Sequence, residues 1–262
     1  MNNQQKAIIY TSHERSLYLG KLERFFKKTN ITPTLLISLE DELELLDAQG
    51  KPMAKSQSFL LPSGTDIAID THDSKVAMCF LDDMGRNFDS LTPQMTHVVK
   101  QGKQAIYCGS SMDEMLIEHA SHIADERPAE QEVAELLNIW LSSAKPKQSK
   151  QYDDRVARAV SLIKDFSHLN MSVADIADSV NLSVPRLIQL FKQVTGTPIR
   201  RFRLWHRIFA TAEKLQAGHN LTDAALLAGF SDYAHFSRTY RELSGGNPSA
   251  ARDNTEIRLL AS

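Results

Sequence analysis

Between about Thr34 and Leu81 the chain alternates short apolar runs, TLLIS, LELLD, SFLLP, DIAID and KVAMCFL, with the turn-forming stretches DAQGK, PSG and THDS. Runs of that length, recurring roughly every 8–12 residues between turn signals, predict a meander of antiparallel strands. The period then changes. SMDEMLIEHASHIADE (111–126) and AEQEVAELLNIWLSS (129–143) place Met112, Met115 and Leu116, then Val133, Leu136, Leu137 and Trp140, at helical intervals, with Pro128 between the two segments. Two helices are therefore expected to close a β-rich domain. The next stretch, SSAKPKQSKQYDD (142–154), has no apolar residue between Ala144 and Tyr152 and contains Pro146. It cannot sustain an amphipathic element, and it reads as an interdomain linker.

Past the linker the pattern is helical throughout and repeats itself. Asp175, Ser183, Phe191, Gly196 and Pro198 are answered by Asp223, Ser231, Tyr240, Gly245 and Pro248. The Asp-to-Ser step is eight residues and the aromatic-to-Gly step five in both copies, while the intervening steps differ by one. Five landmarks in the same order argue for an internal duplication. Each copy reads as two helices joined by a tight turn. Ser172 with Asp175, and Asn220 with Asp223, have the spacing of an N-cap and its third helical residue. Asn181 and Gly229 occupy the same offset from their aspartates, where a turn requires the left-handed conformation. Ser183 is placed to cap the second helix, with Pro185 tolerable in its first turn.

In that helix Leu187, Leu190, Phe191 and Val194 form an apolar stripe that leaves Arg186, Gln189 and Lys192 outward. Its twin buries Phe236, Tyr240 and Leu243 and leaves Tyr233, Ser237, Arg238 and Arg241 outward. Between the copies, PIRRFRLWHRIFATAEKLQ predicts one connecting helix with Ile199, Phe202, Trp205, Phe209, Ala212 and Leu215 on one side. Arg200, Arg201, Arg203 and Arg207 crowd its first half. A short helix, a tight turn and a second helix with a polar outer face is a helix-turn-helix.

Charge sharpens this picture. The net of −2 for all 262 residues is uninformative, but residues 1–149 carry 15 basic against 21 acidic side chains, and residues 150–262 carry 15 against 11. Positive charge is thus segregated into the duplicated half. Residues 184–214 hold seven basic side chains and one acid, a balance suited to a polyanion or to a solvated helix face.

Other chemistry is sparse. Cys79 and Cys108 sit among apolar neighbours (VAMCFL, AIYCG) and are expected as two buried free thiols. His72, in a turn, and His97, before a strand, have no HxH or ExxH companion. Glu118, His119, His122 and Glu126 could share a helix face and chelate a metal, but the spacing lacks a remote third ligand, so a solvated polar face is the expectation. No phosphate-binding glycine loop, nucleophile elbow or catalytic carboxylate pair is present, and no enzyme activity, cofactor or metal is expected. No run approaches the roughly 20 apolar residues that span a bilayer. The start MNNQQKAIIY has neither a basic n-region nor a long apolar core, so a soluble, cytoplasmic protein without membrane association is expected.

The pieces VADIADSVNLSVPRLIQLFKQVTG, RRFRLWHRI and LTDAALLAGFSDYAHFSRTYRELSGGNPSAAR, above all AGFSDYAHFSRTYRE, resemble the DNA-binding domain of the AraC/XylS transcriptional regulators. The resemblance implies two helix-turn-helix units whose second helices enter successive major grooves of double-stranded DNA. It carries the family's base-reading positions onto Pro185, Ile188 and Gln189 and onto Tyr233, Ala234 and Arg238. Gln189 suits adenine, Arg238 suits guanine, and Tyr233 can touch a thymine methyl. The alternative for Arg238 is a surface ion pair with Asp232 or Glu242. Pro185 and Ile188 cannot donate side-chain hydrogen bonds, which shifts the first unit toward shape and methyl contacts. Arg186, Lys192, Arg201, Ser237 and Arg241 are expected on phosphates.

SQSFLLPSGTDIAID (56–70) resembles the small cupin-like sensor domains of the same family, without the metal-binding histidines of enzymatic cupins. The expected architecture is α+β: a cupin-like effector-binding or dimerisation domain with closing helices (1–142), a linker (143–154), an all-α double helix-turn-helix domain (155–252) and a tail (253–262). Besides DNA, the expected partners are a small-molecule effector, a second copy of the chain and, for an activator, RNA polymerase. Which residues hold an effector is unknown from sequence. Two other classes fit parts of the pattern: a metal-dependent cupin enzyme with a helical accessory domain, and an interaction protein whose helices bind protein rather than DNA.

Overall fold

A computed structural model describes residues 6–12, 15–102, 104–142, 153–169 and 171–260. Met1–Gln148 together with Ala250–Ser262 forms one compact unit, and Ser149–Ser249 forms the other. Most of the expected linker lies outside the described residues; only its two ends, Ser142 and Asp153 with Asp154, fall within them.

The N-terminal unit holds the strands β1 (Ala7–Thr11), β2 (Ser16–Lys21), β3 (Phe25–Thr29), β4 (Thr34–Ser38), β5 (Leu43–Leu46), β6 (Pro52–Ser56), β7 (Ser58–Leu61), β8 (Asp66–Asp70) and β9 (Lys75–Phe80). After a short helix α1 (Arg86–Leu91) come β10 (Met95–Gln101) and β11 (Gln104–Ser110), then α2 (Asp113–Glu126) and α3 (Glu130–Ser142). A last strand, β12 (Thr255–Leu259), comes from the far end of the chain. One sheet has the order β10-β11-β7-β4-β9-β2-β1-β12, and the other β3-β8-β5-β6.

Side-chain alternation assigns each face of the larger sheet. Leu36, Phe59, Leu61, Val76 and Met78 point into a core shared with Phe26, Leu43, Leu45, Ile67 and Ile69 of the smaller sheet. Leu35, Ile37, Leu60, Ala77 and Cys79 point the other way, onto Leu116, Ala120 and Ile123 of α2 and Val133, Leu137 and Trp140 of α3. Central strands covered on both faces read as unbroken apolar runs, which is why TLLIS, SFLL and KVAMCF stood out in the sequence. The two cysteines are free and buried, Cys79 in one core and Cys108 in the other. Burial pushes the Cys79 thiol up to about 12, which makes it inert as a nucleophile.

The expected meander is present but incomplete. Strands β1 to β3 precede its predicted start, because AIIY, LYL and FF are short and separated by charged stretches that mask any period. His97 lies inside β10 rather than before a strand. The stretch expected to be a tail carries β12, which pairs in parallel with β1 along its whole length.

The second unit is all-helical: α4 (Asp154–Asp165), α5 (Val173–Ser179), α6 (Val184–Thr195), α7 (Ile199–Gln216), α8 (Leu221–Leu227), α9 (Tyr233–Ser244) and the start of α10 (Pro248–Asn254). Local chemistry sets these boundaries. Ser172 and Asp175 form a reciprocal capping box at α5, and the Asn220 side chain accepts from the Asp223 amide at α8. Asn181 (φ 55°) and Gly229 (φ 90°) both take the left-handed turn conformation. Ser183 occupies the N-cap of α6 without a side-chain capping bond, whereas in the second copy the cap is Asp232, whose carboxylate accepts from the His235 amide. The core follows the predicted stripes: Leu187, Leu190, Phe191, Ile199, Phe202, Trp205, Phe236 and Leu243 are buried. Phe191 and Phe202 meet edge to face at 5.2 Å between centroids. Among the described residues no helix is long and apolar enough to cross a membrane.

Candidate nucleic-acid interface

The outward face of α6 presents Pro185, Arg186, Ile188, Gln189 and Lys192, all exposed. Arg186 donates through Nη1 to Gln189 Oε1 at 3.0 Å. The Gln189 oxygen keeps a second lone pair and its nitrogen two donors, so this bond leaves the amide with hydrogen-bonding capacity to spare.

On α9, Ala234, Arg238 and Arg241 are exposed. Glu242 is taken by Arg201, whose Nη2 donates to Oε1 at 2.9 Å. Asp232 caps His235 and accepts from Ser231, and the His235 amide bond leads in holding its carboxyl below the ordinary range. Glu242 is thus engaged by Arg201, whereas the charge of Arg238 is one of the influences that lower the Asp232 carboxyl, so the pairing of Arg238 with Asp232 stays open as the alternative to base reading.

Three residues depart from their expected placement. Ser237 is buried, at 6% exposure, and its Oγ accepts from Arg241 Nη2 at 2.8 Å. It is not an outward phosphate ligand, because the buried face of α9 is wider than the apolar stripe and takes in the small polar residues Ser237 and Thr239. Its hydroxyl instead braces Arg241, one helical turn on. Tyr233 is half-buried, and its hydroxyl shares a 3.0 Å hydrogen bond with Ser249 Oγ of α10. Arg207, grouped by sequence with the connector's basic cluster, is 7% exposed and donates through Nε to Ser167 O at 2.8 Å. Burial lowers its pKa, as it does that of Arg203, which reaches toward Leu169 O. Of the four clustered arginines, Arg207 is thus buried against the turn after α4, and Arg203 is half-exposed beside it. Arg200 is exposed, and Arg201 is half-buried in its pair with Glu242. An ion pair this open to solvent yields readily to a phosphate.

In the N-terminal unit the helix-face quartet does not converge. His122 Nε2 lies 2.8 Å from Glu132 Oε1, and His119 Nδ1 accepts from Trp140 Nε1 at 3.2 Å. His72, read from sequence as lacking a companion, comes together with Glu44 and Asp70, their ligand atoms within 4.8 Å of one another. Arg24 donates through Nε to Asp70 Oδ1 at 3.2 Å, so a cation already serves that carboxylate.

A residue that sequence reading did not single out is Lys28 on β3. It is 6% exposed, with Nζ 4.8 Å from the centroid of Phe80 and 5.8 Å from that of Phe26. Burial pulls its pKa down to about 7. The alternation FFKK, with Phe26 and Lys28 on one face, was the available signal.

Residues 155–254 match a family model described as a helix-turn-helix domain. The arabinose operon regulatory protein of Escherichia coli is 33% identical over 110 residues, covering 41% of this chain and 37% of that protein. The chain therefore spans little more than a third of that relative. Across nearly the whole chain, the apo structure of a ToxT variant from Vibrio cholerae aligns with a TM-score of 0.62 at 14% identity, covering 92% of this chain and 97% of the other. A ToxT structure from the same organism, described as bound to an unsaturated fatty acid, aligns with a TM-score of 0.58 at 16% identity, covering 92% and 95%. Both likenesses extend the shared fold to the β-rich unit.

Proposed function

We propose that this chain is a sequence-specific DNA-binding transcription regulator of the AraC/XylS type, a reading supported by the helix-turn-helix match over residues 155–254. The observation that carries the reading is the duplication itself. Two units whose first helices start at matched caps and lead into matched left-handed turns each present a second helix whose outer face combines a proposed base-reading side chain, Gln189 or Arg238, with flanking cations. One such helix reads only a few base pairs, whereas two on a single connector multiply specificity within one chain. Pro185, Ile188 and Gln189 read one major groove and Tyr233, Ala234 and Arg238 the next, with Arg186, Lys192, Arg201 and Arg241 on phosphates.

The test is a fragment covering residues 153–254. It is expected to fold, to bind duplex DNA as a monomer, and to protect two segments about 10 base pairs apart on one face in hydroxyl-radical footprinting. Four or five phosphate contacts predict that log K falls with log salt at a slope of about −4. A single short footprint, or binding indifferent to salt, would sink the reading.

The N-terminal unit is, in this proposal, the effector domain, and its ligand an apolar acid. The support is Lys28, an ammonium held between Phe26 and Phe80 at the apolar core between the two sheets, together with the fatty acid named for a solved ToxT structure. Because the folded-state pKa lies below that of an unfolded lysine, roughly 10.4, the unfolded chain binds more protons between pH 7 and 10. Stability of the ligand-free protein should rise with pH through that window. Affinity for a long-chain unsaturated fatty acid should do the opposite and weaken above pH 7 as Lys28 loses its proton. Lys28→Met should flatten both slopes, read by thermal unfolding and by ligand titration at pH 7 and pH 9. Slopes unchanged in the variant would remove Lys28 from the effector site.

A further inference from the structure

Two carboxylates stand side by side on the outer face of the smaller sheet. Leu43 and Leu45 of β5 and Ile67 and Ile69 of β8 line the core between the sheets, so strand alternation turns Glu44 and Asp70 the other way. In the antiparallel β5–β8 register Glu44 and Asp70 are direct partners, and like charges placed opposite each other in such a pair repel. Water relieves little of that repulsion, because the two side chains are only 20% and 9% exposed. His72, in the turn after β8, completes a triangle: one ligand atom each from Glu44, Asp70 and His72 lie within 4.8 Å of one another. The His72 amide donates to Asp70 Oδ1 at 2.9 Å and holds the carboxylate toward the turn.

The same turn leaves polar atoms unserved. His72 Nε2 is shielded from solvent and has no hydrogen-bond partner, and Nδ1 stands 3.6 Å from Asp70 Oδ1, beyond a hydrogen bond. That spacing is close to the roughly 3.3 Å that separates two ligands held at about 2.0–2.1 Å by one tetrahedral zinc ion. Thr71 Oγ1 and Ser74 Oγ are likewise buried without a partner. Buried polar atoms are nearly always satisfied, so three orphans within Thr71–Ser74 call for a group that the protein itself does not supply. The neighbouring cations serve the carboxylates only loosely. Arg24 reaches Asp70 at 3.2 and 3.5 Å, and Lys55 Nζ lies 4.0 Å from Glu44 Oε1, against about 2.7–2.9 Å for a seated charge-assisted hydrogen bond. Both cationic side chains are more than half exposed and swing out at little cost.

We infer that Glu44, Asp70 and His72 form a binding site for a transition-metal dication, Zn²⁺ by the chemistry of the donors. One imidazole with two carboxylates suits Zn²⁺, whereas Mg²⁺ and Ca²⁺ are held by oxygen alone. Three protein ligands leave the fourth position of a tetrahedral ion to water. A bound ion neutralises the paired carboxylates and ties β5 to the turn after β8, and Arg24 competes with it for Asp70. Lys28 lies on the other face of the sheet, with Phe26 toward the core, so this site is separate from the one proposed for an apolar acid.

The experiment strips the full chain with a chelator and titrates it calorimetrically with zinc chloride, then with magnesium and calcium chloride. One equivalent of Zn²⁺ is expected to bind, and Tm is expected to rise once its concentration exceeds Kd. Glu44→Gln keeps the shape of its side chain, and His72→Asn keeps a residue that tolerates the left-handed backbone at φ 49°. Each should weaken Zn²⁺ at least about tenfold, since even an outer-shell partner is commonly worth about 10–100-fold in metal affinity. Arg24→Gln removes the competitor and no ligand. It should tighten Zn²⁺ about threefold, the worth of an exposed ion pair, and it decides the matter even where a ligand variant melts early. His122→Gln, at the other histidine–carboxylate contact of this unit, should change nothing. The inference is overturned by a wild-type chain that takes up no Zn²⁺ or takes up Mg²⁺ and Ca²⁺ equally well. It is overturned as well by binding that survives His72→Asn but not His122→Gln, or by an Arg24→Gln chain that binds Zn²⁺ no more tightly than wild type; the carboxylate pair is then left to Arg24 and Lys55.

Discussion

Gly229→Ala is expected to destabilise the helical unit by about 2–4 kcal/mol, although it adds a single methyl group. A residue with a side chain in this left-handed conformation costs roughly 1–3 kcal/mol, and here the new Cβ would also stand 2.6 Å from the carbonyl oxygen of His168 and 3.2 Å from Arg207 Nε. Neither neighbour can easily retreat. His168 belongs to the turn after α4, and Arg207 is buried with its Nε on Ser167 O, the carbonyl one residue before. The matched position in the first copy is Asn181, also left-handed at φ 55° but exposed. Asn181→Gly relieves mild strain at the cost of a more flexible unfolded chain, and should stay within about 0.5 kcal/mol of wild type. Urea unfolding of the 153–254 fragment measures both. Equal small effects at the two sites would mean that the second turn is not pinned under the α4 turn.

That asymmetry marks the limit of what the sequence discloses. A cap, a left-handed turn and an apolar stripe are local, since each is decided by residues within a turn or two of one another. The capping box at Ser172, the turns at Asn181 and Gly229 and the stripes of α6, α7 and α9 were therefore legible as patterns. The role of Arg207 was not, because a buried arginine satisfied by the carbonyl of Ser167, forty residues earlier in the chain, is indistinguishable in sequence from a solvent-facing one. Ser237 failed for a related reason. A serine beside Phe236 reads as polar and outward, while in the helix its hydroxyl is satisfied by Arg241 and can be buried. In the first unit, β12 was invisible because TEIRL has an ordinary strand's length and no turn signal to announce a partner at the opposite end of the chain. Lys28 was hidden because alternation puts one phenylalanine and one lysine of FFKK on each face, and the sequence does not say which face is covered.

The proposed division between reading and anchoring side chains gives the sharpest functional expectation. Arg238 is exposed on α9, with Glu242 held by Arg201 and the capping Asp232 close enough to feel its charge, and in the proposed reading its guanidinium makes two parallel hydrogen bonds to guanine O6 and N7. Arg238→Ala should cost about 1–3 kcal/mol on the specific site, relax preference at one base pair, and leave affinity for random DNA nearly unchanged. Lys192→Ala and Arg241→Ala should weaken specific and random DNA alike and reduce the salt slope by about one unit each. Ser237→Ala adds an internal control: by freeing Arg241 from the hydroxyl that braces it, it should lower affinity in the same sequence-blind way as Arg241→Ala but by less, with the slope preserved because the charge remains. The exposed substitutions at Arg238, Lys192 and Arg241 should change folding stability by less than about 0.5 kcal/mol. Competition binding against selected and random duplexes at several salt concentrations separates these outcomes. An Arg238→Ala variant that loses the same factor on both kinds of DNA is anchoring the backbone, and the guanine would then have to be read from the first unit, where Gln189 and its partner Arg186 are the side chains able to supply the donors.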